Sequence, residues 1–300
     1  REIMGRTDLY FAYGTNMNRA DLQTWCDRKG LPYPLAGKVG NAWLPDMRQV
    51  FNFLSERRGG GVSNLRHRTG QAIPGVLYET LPDGWATLDA REDAPKVYKR
   101  LPVVVLTGDG REYSAVTYQV DPAMIEGIFV PPHPDYIAAV QEALIAHGLD
   151  DRMFNAVSLG FDPPWTVDHL FVYGTLKEGG PRHHILETWG DHTCRGTAQA
   201  PGLLVDSGKN FPCMAPPEGE DAWVAGEVYP LKDPRKAFEM FDIVEGFKGY
   251  SNPGSRFRRT LTRVRTLDDS CFTAWVFMYA GSTAGMSRIT SGSWKGPPPA

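Results

Sequence analysis

Two stretches, FAYGTNMN at Phe11–Asn18 and FVYGTLKEGG at Phe171–Gly180, repeat one pattern about half the chain apart. In each, a short apolar and aromatic run ends in Tyr-Gly-Thr, which is typical of a buried strand that runs into a tight turn. A chain of 300 residues is long enough for about two domains. The two copies therefore predict a molecule built from two related halves.

Further features recur in the same order after each turn. GVLY precedes LDARE in the first half, and GEVY precedes FDIVE in the second half. Each acidic signature places an aspartate three residues before a glutamate, in the pairs Asp89/Glu92 and Asp242/Glu245. The shared order indicates two homologous domains.

The segment LGFDPPWTVDHL, residues 159–170, separates the two copies and contains two adjacent prolines. Proline stops a helix and favours an extended link. We therefore predict one domain over residues 1–160 and a second over residues 167–300. The ending SGSWKGPPPA is rich in Gly, Pro and Ser and predicts a loose tail.

Hydrophobic periodicity predicts more strands than helices. VVVLTGDGREYSAVTYQV predicts a hairpin that turns at Gly-Asp-Gly. DPRKAFEMFDIVEG and PDYIAAVQEALIAHGLD predict helices, the first with Asp233 as N-cap and Gly246 at its end. The arginines of RFRRTLTRVRT alternate with smaller residues, which predicts one solvent-exposed face of a strand. The predicted fold class is α+β, with each domain a mainly antiparallel β-sheet or barrel that carries short helices.

Composition and charge exclude several classes of protein. The chain has 32 basic and 35 acidic residues and a formal net charge of −3, which argues against a nucleic-acid binder. The sequence contains no run of about 18 apolar residues, so no membrane span is predicted. The first residues lack the apolar core of a signal peptide. The four cysteines form no CxxC pair, which favours a reducing, cytoplasmic environment. Nothing in the sequence points to a particular oligomeric state.

Metal and nucleotide sites are not predicted. His183, His184, His192 and Cys194 lack the HxxxH or CxxC spacing of metal ligands. RRGGGVSNLRHR, residues 57–68, resembles a phosphate loop but lacks the Lys-Ser/Thr ending, and we interpret it as a glycine-rich strand beneath the ligand turn. We expect no cofactor.

The repeated residues suggest a chemistry. Consecutive backbone N–H groups in a glycine turn can hold a carboxylate or a developing oxyanion. A glutamate at the buried end of a short helix can act as a general base when its surroundings raise its pKa. For each copy alone, a ligand-free turn and a solvated acid are the simpler readings, but both features recur together in the two halves.

Both halves resemble the gamma-glutamylcyclotransferase-like superfamily over nearly the whole chain. The first half resembles gamma-glutamylcyclotransferase proper through FAYGTNM, VFNFLSERRGGGVSNL, GVLY, LDARE and PPHPDYIAAVQEALIAHGL. The second half resembles the gamma-glutamylamine cyclotransferase branch through VYGTLKEGGPRHH, NFPCM, VAGEVY and FDIVEGF. Each motif is short, but the motifs occur in a consistent order and spacing.

The resemblance implies an enzyme, without metal, that cyclises a gamma-glutamyl amide to 5-oxoproline and a free amine. It implies Glu92 and Glu245 as general acid/bases. It also implies two turns that bind the small-molecule substrate, formed by Tyr13, Gly14, Thr15, Asn16 and Met17 and by Tyr173, Gly174, Thr175, Leu176 and Lys177. Further candidates for lining the sites are Tyr98, Tyr118, Tyr136 and Tyr250, for which a hydrogen bond to the sheet is the simpler role.

Two departures and two alternatives remain open. Thr15 stands where the family often has Ser, and Asp93 stands where the family usually has Gly after the glutamate. Asp93 could raise the pKa of Glu92 or simply face solvent. On the same fold, attack by water would make the protein a gamma-glutamyl amide hydrolase. Alternatively, one domain could be catalytic and the other a binding partner.

Overall fold

The computed structural model describes residues 9–191, 196–219 and 222–296, so His192 and Cys194 lie outside the described residues. The described chain divides into two compact units. Unit 1 comprises the described residues up to Val105 together with Tyr113–Thr166, and unit 2 comprises Leu106–Glu112 together with the described residues from Val167 onward. Each unit contains a closed five-stranded barrel and a few short helices, which confirms the predicted α+β fold class.

The first barrel and its surroundings consist of seven strands and four helices. The strands are β1 Leu9–Ala12, β2 Leu35–Val50, β3 Leu54–Ser55, β4 Gly60–Gly61, β5 Asn64–Thr80, β6 Tyr98–Leu106 and β7 Glu112–Val120. The helices are α1 Arg19–Lys29, α2 Gly84–Glu92, α3 Pro134–Ala146 and α4 Arg152–Ser158, with 3₁₀ turns at Thr15–Met17 and Pro122–Met124.

The second barrel and its surroundings consist of eight strands and two helices among the described residues. The strands are β8 His169–Val172, β9 Gly196–Pro201, β10 Leu203–Asp206, β11 Pro212–Ala215, β12 Trp223–Pro230, β13 Phe257–Thr266, β14 Cys271–Tyr279 and β15 Ser287–Arg288. The helices are α5 His183–Trp189 and α6 Pro234–Glu245.

The two barrels share one topology. In the first, β1 pairs antiparallel with β5 and parallel with β7. In the second, β8 pairs antiparallel with β12 and parallel with β14. Strands β1, β5, β2, β6 and β7 of the first barrel correspond to β8, β12, β9, β13 and β14 of the second. Read around each closed barrel, the orders β1-β5-β2-β6-β7 and β12-β8-β14-β13-β9 are therefore the same. The duplication predicted from the two turns is confirmed.

One glycine recurs for a steric reason. A Cβ atom on Gly75 would collide with the carbonyl oxygen of Ala12 and the ring of Phe11. A Cβ atom on Gly226 would collide in the same way with Val172 and Phe171. In each barrel the aromatic residue of the first strand lies over a bare backbone, which explains why GVLY and GEVY both begin with glycine.

The predicted turns and helix ends are present. The hairpin of β6 and β7 turns at the expected Gly-Asp-Gly. The side chain of Asp233 accepts hydrogen bonds from the first backbone N–H groups of α6, and Gly246 ends that helix with φ 67°. Because α6 ends there, Glu245 is held at the last helical position, next to the barrel.

Two predictions of local structure were wrong, and a third holds in part. Arg259, assigned to an exposed face of its strand, is 1% exposed, because it packs against α6 and pairs with Asp242. The glycine-rich stretch contains strand β4 and the start of β5 instead of one continuous strand, and Gly60 and Gly61 lie against the backbone of residues 130–133. The described part of the tail is packed, with Trp294 only 9% exposed.

Within the described ranges, no helix is long and apolar enough to cross a membrane.

Candidate active sites

A pocket of about 510 Å³ lies beside the first Tyr-Gly-Thr turn. Glu92, at the last position of α2, opens into it together with the turn itself. Its lining residues are Tyr10, Tyr13, Gly14, Thr15, Asn16, Ser55, Arg57, Arg58, Val62, Ser63, Glu92, Tyr98, Tyr118 and Tyr136. The pocket therefore combines the turn, the acid and the tyrosines named from the sequence.

The side chain of Asn16 orients the Glu92 carboxylate. Arg91 Nε donates a hydrogen bond to Asn16 Oδ1 at 2.5 Å, which fixes the orientation of the Asn16 amide. Asn16 Nδ2 then donates to Glu92 Oε1 at 2.8 Å and to the hydroxyl of Tyr10 at 2.9 Å. This chain of hydrogen bonds holds the Glu92 carboxylate in one orientation.

A partly buried cluster of charges, Asp21, Arg58 and Arg91, supports that arrangement. Asp21 accepts hydrogen bonds from the guanidinium groups of Arg58, at 2.8 Å, and Arg91, at 2.5 Å. Arg58 also donates to the hydroxyl of Thr15 at 3.1 Å. Desolvation would raise the pKa of the Asp21 carboxyl, but the two arginines more than offset it and hold that pKa below its usual range. The first turn is thus tied to α1, α2 and the β3–β4 hairpin.

Three tyrosines that line the first pocket also form hydrogen bonds to the backbone of the barrel or of the segment beside it. Tyr13 donates to the carbonyl of Tyr118 at 2.7 Å, and Tyr98 donates to the carbonyl of Ser63 at 3.0 Å. The hydroxyl of Tyr136 accepts a hydrogen bond from the backbone N–H of Ser63 at 3.0 Å. Burial raises the pKa of all three phenols, so they remain neutral donors or acceptors at neutral pH.

The turn itself leaves backbone donors at the pocket. In the 3₁₀ turn Thr15–Met17, the first hydrogen bond runs from Met17 N to Gly14 O at 3.1 Å. The N–H groups of Thr15 and Asn16 precede it, and among the described residues neither has a backbone or capping acceptor. Met17 is buried beneath the turn and does not line the pocket.

A second pocket, of about 520 Å³, lies beside the second turn. Glu245 opens into it from the end of α6, as Glu92 does from α2. Its lining residues are Phe171, Val172, Tyr173, Gly174, Thr175, Leu176, Arg182, Phe211, Pro212, Glu245, Arg256, Phe257 and Phe277. The geometry of turn and acid recurs, but the walls are aromatic and apolar.

Glu245 is 7% exposed, and its surroundings favour the protonated acid. Desolvation raises the pKa of its carboxyl, and the charges of Arg182 and Arg256 only partly oppose that shift. Arg182 lies at the limit of an ion pair, 4.0 Å from Glu245 Oε1. Leu176 occupies the turn position that Asn16 holds in unit 1, so the turn supplies no amide donor here.

The second turn repeats the first in its backbone. Tyr173 donates to the carbonyl of Phe277 at 2.7 Å, matching the bond of Tyr13. The first bond of the turn runs from Lys177 N to Gly174 O at 3.1 Å, which leaves the N–H groups of Thr175 and Leu176 ahead of it.

Two residues named from the sequence do not line the second pocket. Lys177 Nζ donates to the carbonyl of Trp294 at 2.8 Å. Tyr250 packs its ring against Phe247, with centroids 5.0 Å apart. In unit 1, Asp93 is exposed and ends α2 with φ 49°, the left-handed conformation for which glycine is usual.

Sequence reasoning missed an ion pair that both units share. Arg100 of β6 donates to both oxygens of Asp89, with Nε–Oδ1 2.9 Å and a second bond of 2.6 Å. Arg259 of β13 likewise donates to both oxygens of Asp242, with an Nε–Oδ1 distance of 2.9 Å and a second bond of 3.1 Å. The aspartate of each Asp-x-x-Glu signature therefore fastens the glutamate's helix to the barrel. The signal for this ion pair in the sequence is the repeated Asp-x-x-Glu spacing.

The pocket arginines were also missed. Arg57 and Arg58 come from the β3–β4 turn, and Arg182 and Arg256 come from segments flanking α5 and β13. They lie within stretches already quoted from the sequence, but those stretches do not mark them as pocket residues, because each arginine approaches its glutamate only through the folded chain. Among the described residues, no group of three or more His, Cys, Asp and Glu side chains could hold a metal ion.

Comparisons with known proteins match both halves. The sequence model of the family described as "Gamma-glutamyl cyclotransferase, AIG2-like" matches residues 10–138 and 170–296. A gamma-glutamylaminecyclotransferase of Rattus norvegicus is 32% identical over 105 residues, which cover 33% of this chain and 65% of the rat protein. A gamma-glutamylcyclotransferase of Mus musculus is 31% identical over 137 residues, which cover 44% of this chain and 67% of the mouse protein. The chain thus spans about two thirds of the length of each of these relatives.

A solved structure described as "Gamma-glutamyl cyclotransferase" matches with 23% sequence identity and a TM-score of 0.42. The match covers 52% of this chain and 89% of the chain in that structure.

Proposed function

Because the chain belongs to the gamma-glutamyl cyclotransferase, AIG2-like family, we propose that it is a cyclotransferase acting on gamma-glutamyl amides. The free α-amine of the gamma-glutamyl group attacks its own γ-carbonyl carbon. A five-membered ring closes, the bond to the amine nitrogen breaks, and 5-oxoproline and a free amine leave. Neither water nor a cofactor is consumed. The attack is intramolecular, so its effective molarity can be large once the chain of the substrate is folded.

One observation carries this proposal: in each unit a glutamate and a Gly-Thr turn share one pocket. We assign Glu92 and Glu245 as general acid/bases. Each takes a proton from the substrate ammonium, which cannot attack while protonated, and later returns a proton to the departing amine. One carboxyl can do both because the transfers occur in sequence.

The backbone of each turn is assigned to the developing oxyanion or the substrate carboxylate. The N–H groups of Thr15 and Asn16, and those of Thr175 and Leu176, are the donors. At Gly174 a Cβ would lie 2.8 Å from Pro212 Cγ, so the close packing of the second turn requires glycine, whereas a Cβ on Gly14 would make an ordinary contact at 3.4 Å from the Tyr136 hydroxyl. Each proposed domain, residues 1–160 and 167–300, would then hold one complete site.

The test is 5-oxoproline release from gamma-glutamyl-alanine and epsilon-(gamma-glutamyl)-lysine, with products identified by mass spectrometry. The proteins are the wild type, Glu92→Gln, Glu245→Gln and the double variant. We expect each single variant to keep turnover through its intact site and the double variant to lose at least about 100-fold, the usual contribution of a general base. Glutamate as product would establish the hydrolase instead. Complete loss in one single variant would leave one catalytic domain.

A further inference from the structure

Unit 1 contains a further cavity of about 500 Å³, apart from the pocket that holds Glu92. It lies between β2, β5, the segment Gly127–Phe129 and the residues at the C-terminal end of α4. Among the described residues, none lines both this cavity and the pocket of Glu92. The proposed cyclisation therefore gives the cavity no role.

The walls of this cavity are mostly apolar. Its apolar side chains, three of them aromatic, are Val50, Phe51, Ile128, Phe129, Val157 and Phe161. Ile128 and Phe161 are 71% and 66% exposed, so much of their apolar surface faces water. Covering that surface is favourable, so a ligand with an apolar body would gain free energy here.

Two arginines of the cavity face each other across the sheet. Arg48 of β2 and Arg66 of β5 are direct cross-strand partners, and both line the cavity. Like charges in that position repel each other. The described lining of the cavity contains no Asp or Glu that could offset the repulsion. An anion in the cavity would do so.

The carboxylate nearest to these arginines is already shared. Asp162 pairs with Arg48 at 2.5 Å and with Arg68 at 3.2 Å. The Nε atom of Arg48 is buried and has no hydrogen-bond partner. Arg66 is exposed, and within the part of the chain that the structure describes it forms no ion pair or hydrogen bond. Arg66 is thus the arginine of the cavity that lacks a counter-charge.

A buried amide adds a further donor. Asn52 lines the cavity and is 5% exposed. Its Oδ1 accepts a hydrogen bond from Asn64 Nδ2 at 3.0 Å, and Asn64 Oδ1 accepts one from the backbone N–H of Val120, so the orientation of both amides is fixed. Asn52 Nδ2 donates to no acceptor in the described chain. Buried polar groups are normally satisfied, so this amide favours a ligand that carries an acceptor.

We propose that this cavity binds a small carboxylate with an aryl or alkyl body, at a site separate from the one assigned to the gamma-glutamyl group. A single negative charge matches the single unpaired guanidinium of Arg66, and a carboxylate presents two oxygens to the N–H donors of arginine. The body of the ligand covers the exposed surfaces of Ile128 and Phe161. The inference does not rest on the proposed cyclotransferase function.

The test is calorimetric titration of the wild-type protein with 3-phenylpropionate, 3-phenylpropanamide and acetate. The amide keeps the apolar body without the charge, and acetate keeps the charge without the body. We expect 3-phenylpropionate to bind roughly fivefold more tightly than the amide. It should bind at least about tenfold more tightly than acetate. Its affinity should fall as the NaCl concentration rises, because salt screens the attraction to Arg66.

Two variants at exposed residues locate the site with little effect on folding. Arg66→Gln should weaken 3-phenylpropionate roughly fivefold and leave the amide unchanged. Ile128→Ser should weaken both compounds, because it removes apolar surface from the wall. The matched control is Arg263→Gln, an exposed arginine of β13 that lines neither this cavity nor the two proposed active-site pockets. It should change neither affinity.

The outcomes decide whether the site exists. Binding that depends on the charge of the ligand, and that Arg66→Gln and Ile128→Ser weaken as stated, supports it. Equal affinity for the carboxylate and the amide, absence of binding, or binding that neither variant changes overturns it. Self-association of the chain that Ile128→Ser abolishes, without binding of the carboxylate, would assign the surface to a second copy and also overturns it. None of these measurements involves 5-oxoproline release, so the proposed function stands or falls separately.

Discussion

At the scale of single residues, Glu92 and Glu245 differ in their burial and in the interactions that their carboxyl groups make. Glu92 is partly exposed and accepts a hydrogen bond from Asn16, whose amide is in turn fixed by Arg91. Glu245 is buried beside aromatic rings, with arginines only at a distance. The first arrangement orients the carboxyl through hydrogen bonds, whereas in the second the desolvation of Glu245 raises the pKa of its carboxyl.

The buried position of Glu245 predicts a pH dependence of both activity and stability. A protonated Glu245 cannot accept the substrate's proton, so in Glu92→Gln turnover should rise with pH through an acid limb whose pKa lies above the ordinary value near 4.5. Because the folded-state pKa is raised, the stabilising effect of the protonated carboxyl is complete below the unfolded-state pKa. It is lost as pH rises through the folded-state pKa.

Glu245→Gln should therefore raise the melting temperature at pH 8, where the wild type must bury a charge. Glu239→Gln, an exposed residue on the same helix, is the matched control and should have no such effect. The measurements are a pH–rate profile of Glu92→Gln and thermal unfolding of the two Gln variants at pH 4 and pH 8. A melting temperature for Glu245→Gln that equals or falls below the wild type at pH 8 would contradict the prediction.

The sequence identified residues whose type and spacing repeat, such as the two glutamates and the two turns. It could not identify Arg28, Lys29 and Arg57 as neighbours of one cavity. They lie on α1 and on the β3–β4 turn, and only the folded chain brings them together. Lys177 shows the opposite error, because its place in the turn motif suggested the pocket while its long side chain reaches the carbonyl of Trp294.

At the scale of elements, an equivalent Arg–Asp ion pair fastens the glutamate-bearing helix of each unit to its barrel, but in different surroundings. The side chains of Arg100 and Asp89 are 44% and 32% exposed, whereas those of Arg259 and Asp242 are 1% and 20% exposed. Arg259 also lies 4.5 Å over the ring of Phe238. The geometry is shared, so burial should decide what each pair contributes.

We predict that Asp242→Asn destabilises the protein by about 3 kcal/mol, because it removes the carboxylate facing a buried guanidinium. Asp89→Asn should cost about 1 kcal/mol or less, because water screens that pair. Urea unfolding at pH 7.5 measures both variants under the same conditions. Equal costs would show that burial does not set the contribution of these pairs.

Strand patterns explain why Arg259 was misplaced. Alternation along RFRRTLTRVRT correctly indicated a strand, and β13 spans it. Alternation reports which residues share a face, but it does not report what covers that face. Here α6 covers it and supplies Asp242, so an arginine is buried where the pattern indicated solvent.

At the scale of the whole molecule, the proposed function implies two substrate sites in each chain. In the double variant Glu92→Gln/Glu245→Gln, substrates should bind without turnover. Calorimetric titration of this variant with gamma-glutamyl-alanine should show two molecules bound per chain at saturation. A stoichiometry of one would contradict this prediction.

The overall architecture was predictable because duplication leaves its mark in order and spacing. Two turns, two glycine-led strands and two acidic signatures predicted two homologous domains of α+β class. The sequence did not distinguish an open sheet from a closed barrel. It depends on pairing between the first and last strands, Tyr10 with Val116 and Leu170 with Trp275, which are far apart in the sequence.

The matched glycines, Gly75 and Gly226, bear on the history of the chain. Strand order, the ring over each glycine and the ion pair behind each glutamate have survived in both copies since they arose from one ancestor. The walls around the acids have not, since tyrosines and arginines line one and phenylalanines line the other. Drift in a redundant copy would have eroded catalytic and structural features alike. The selective pattern indicates that natural selection has maintained the fold and the paired acid and turn in both copies while their surroundings diverged.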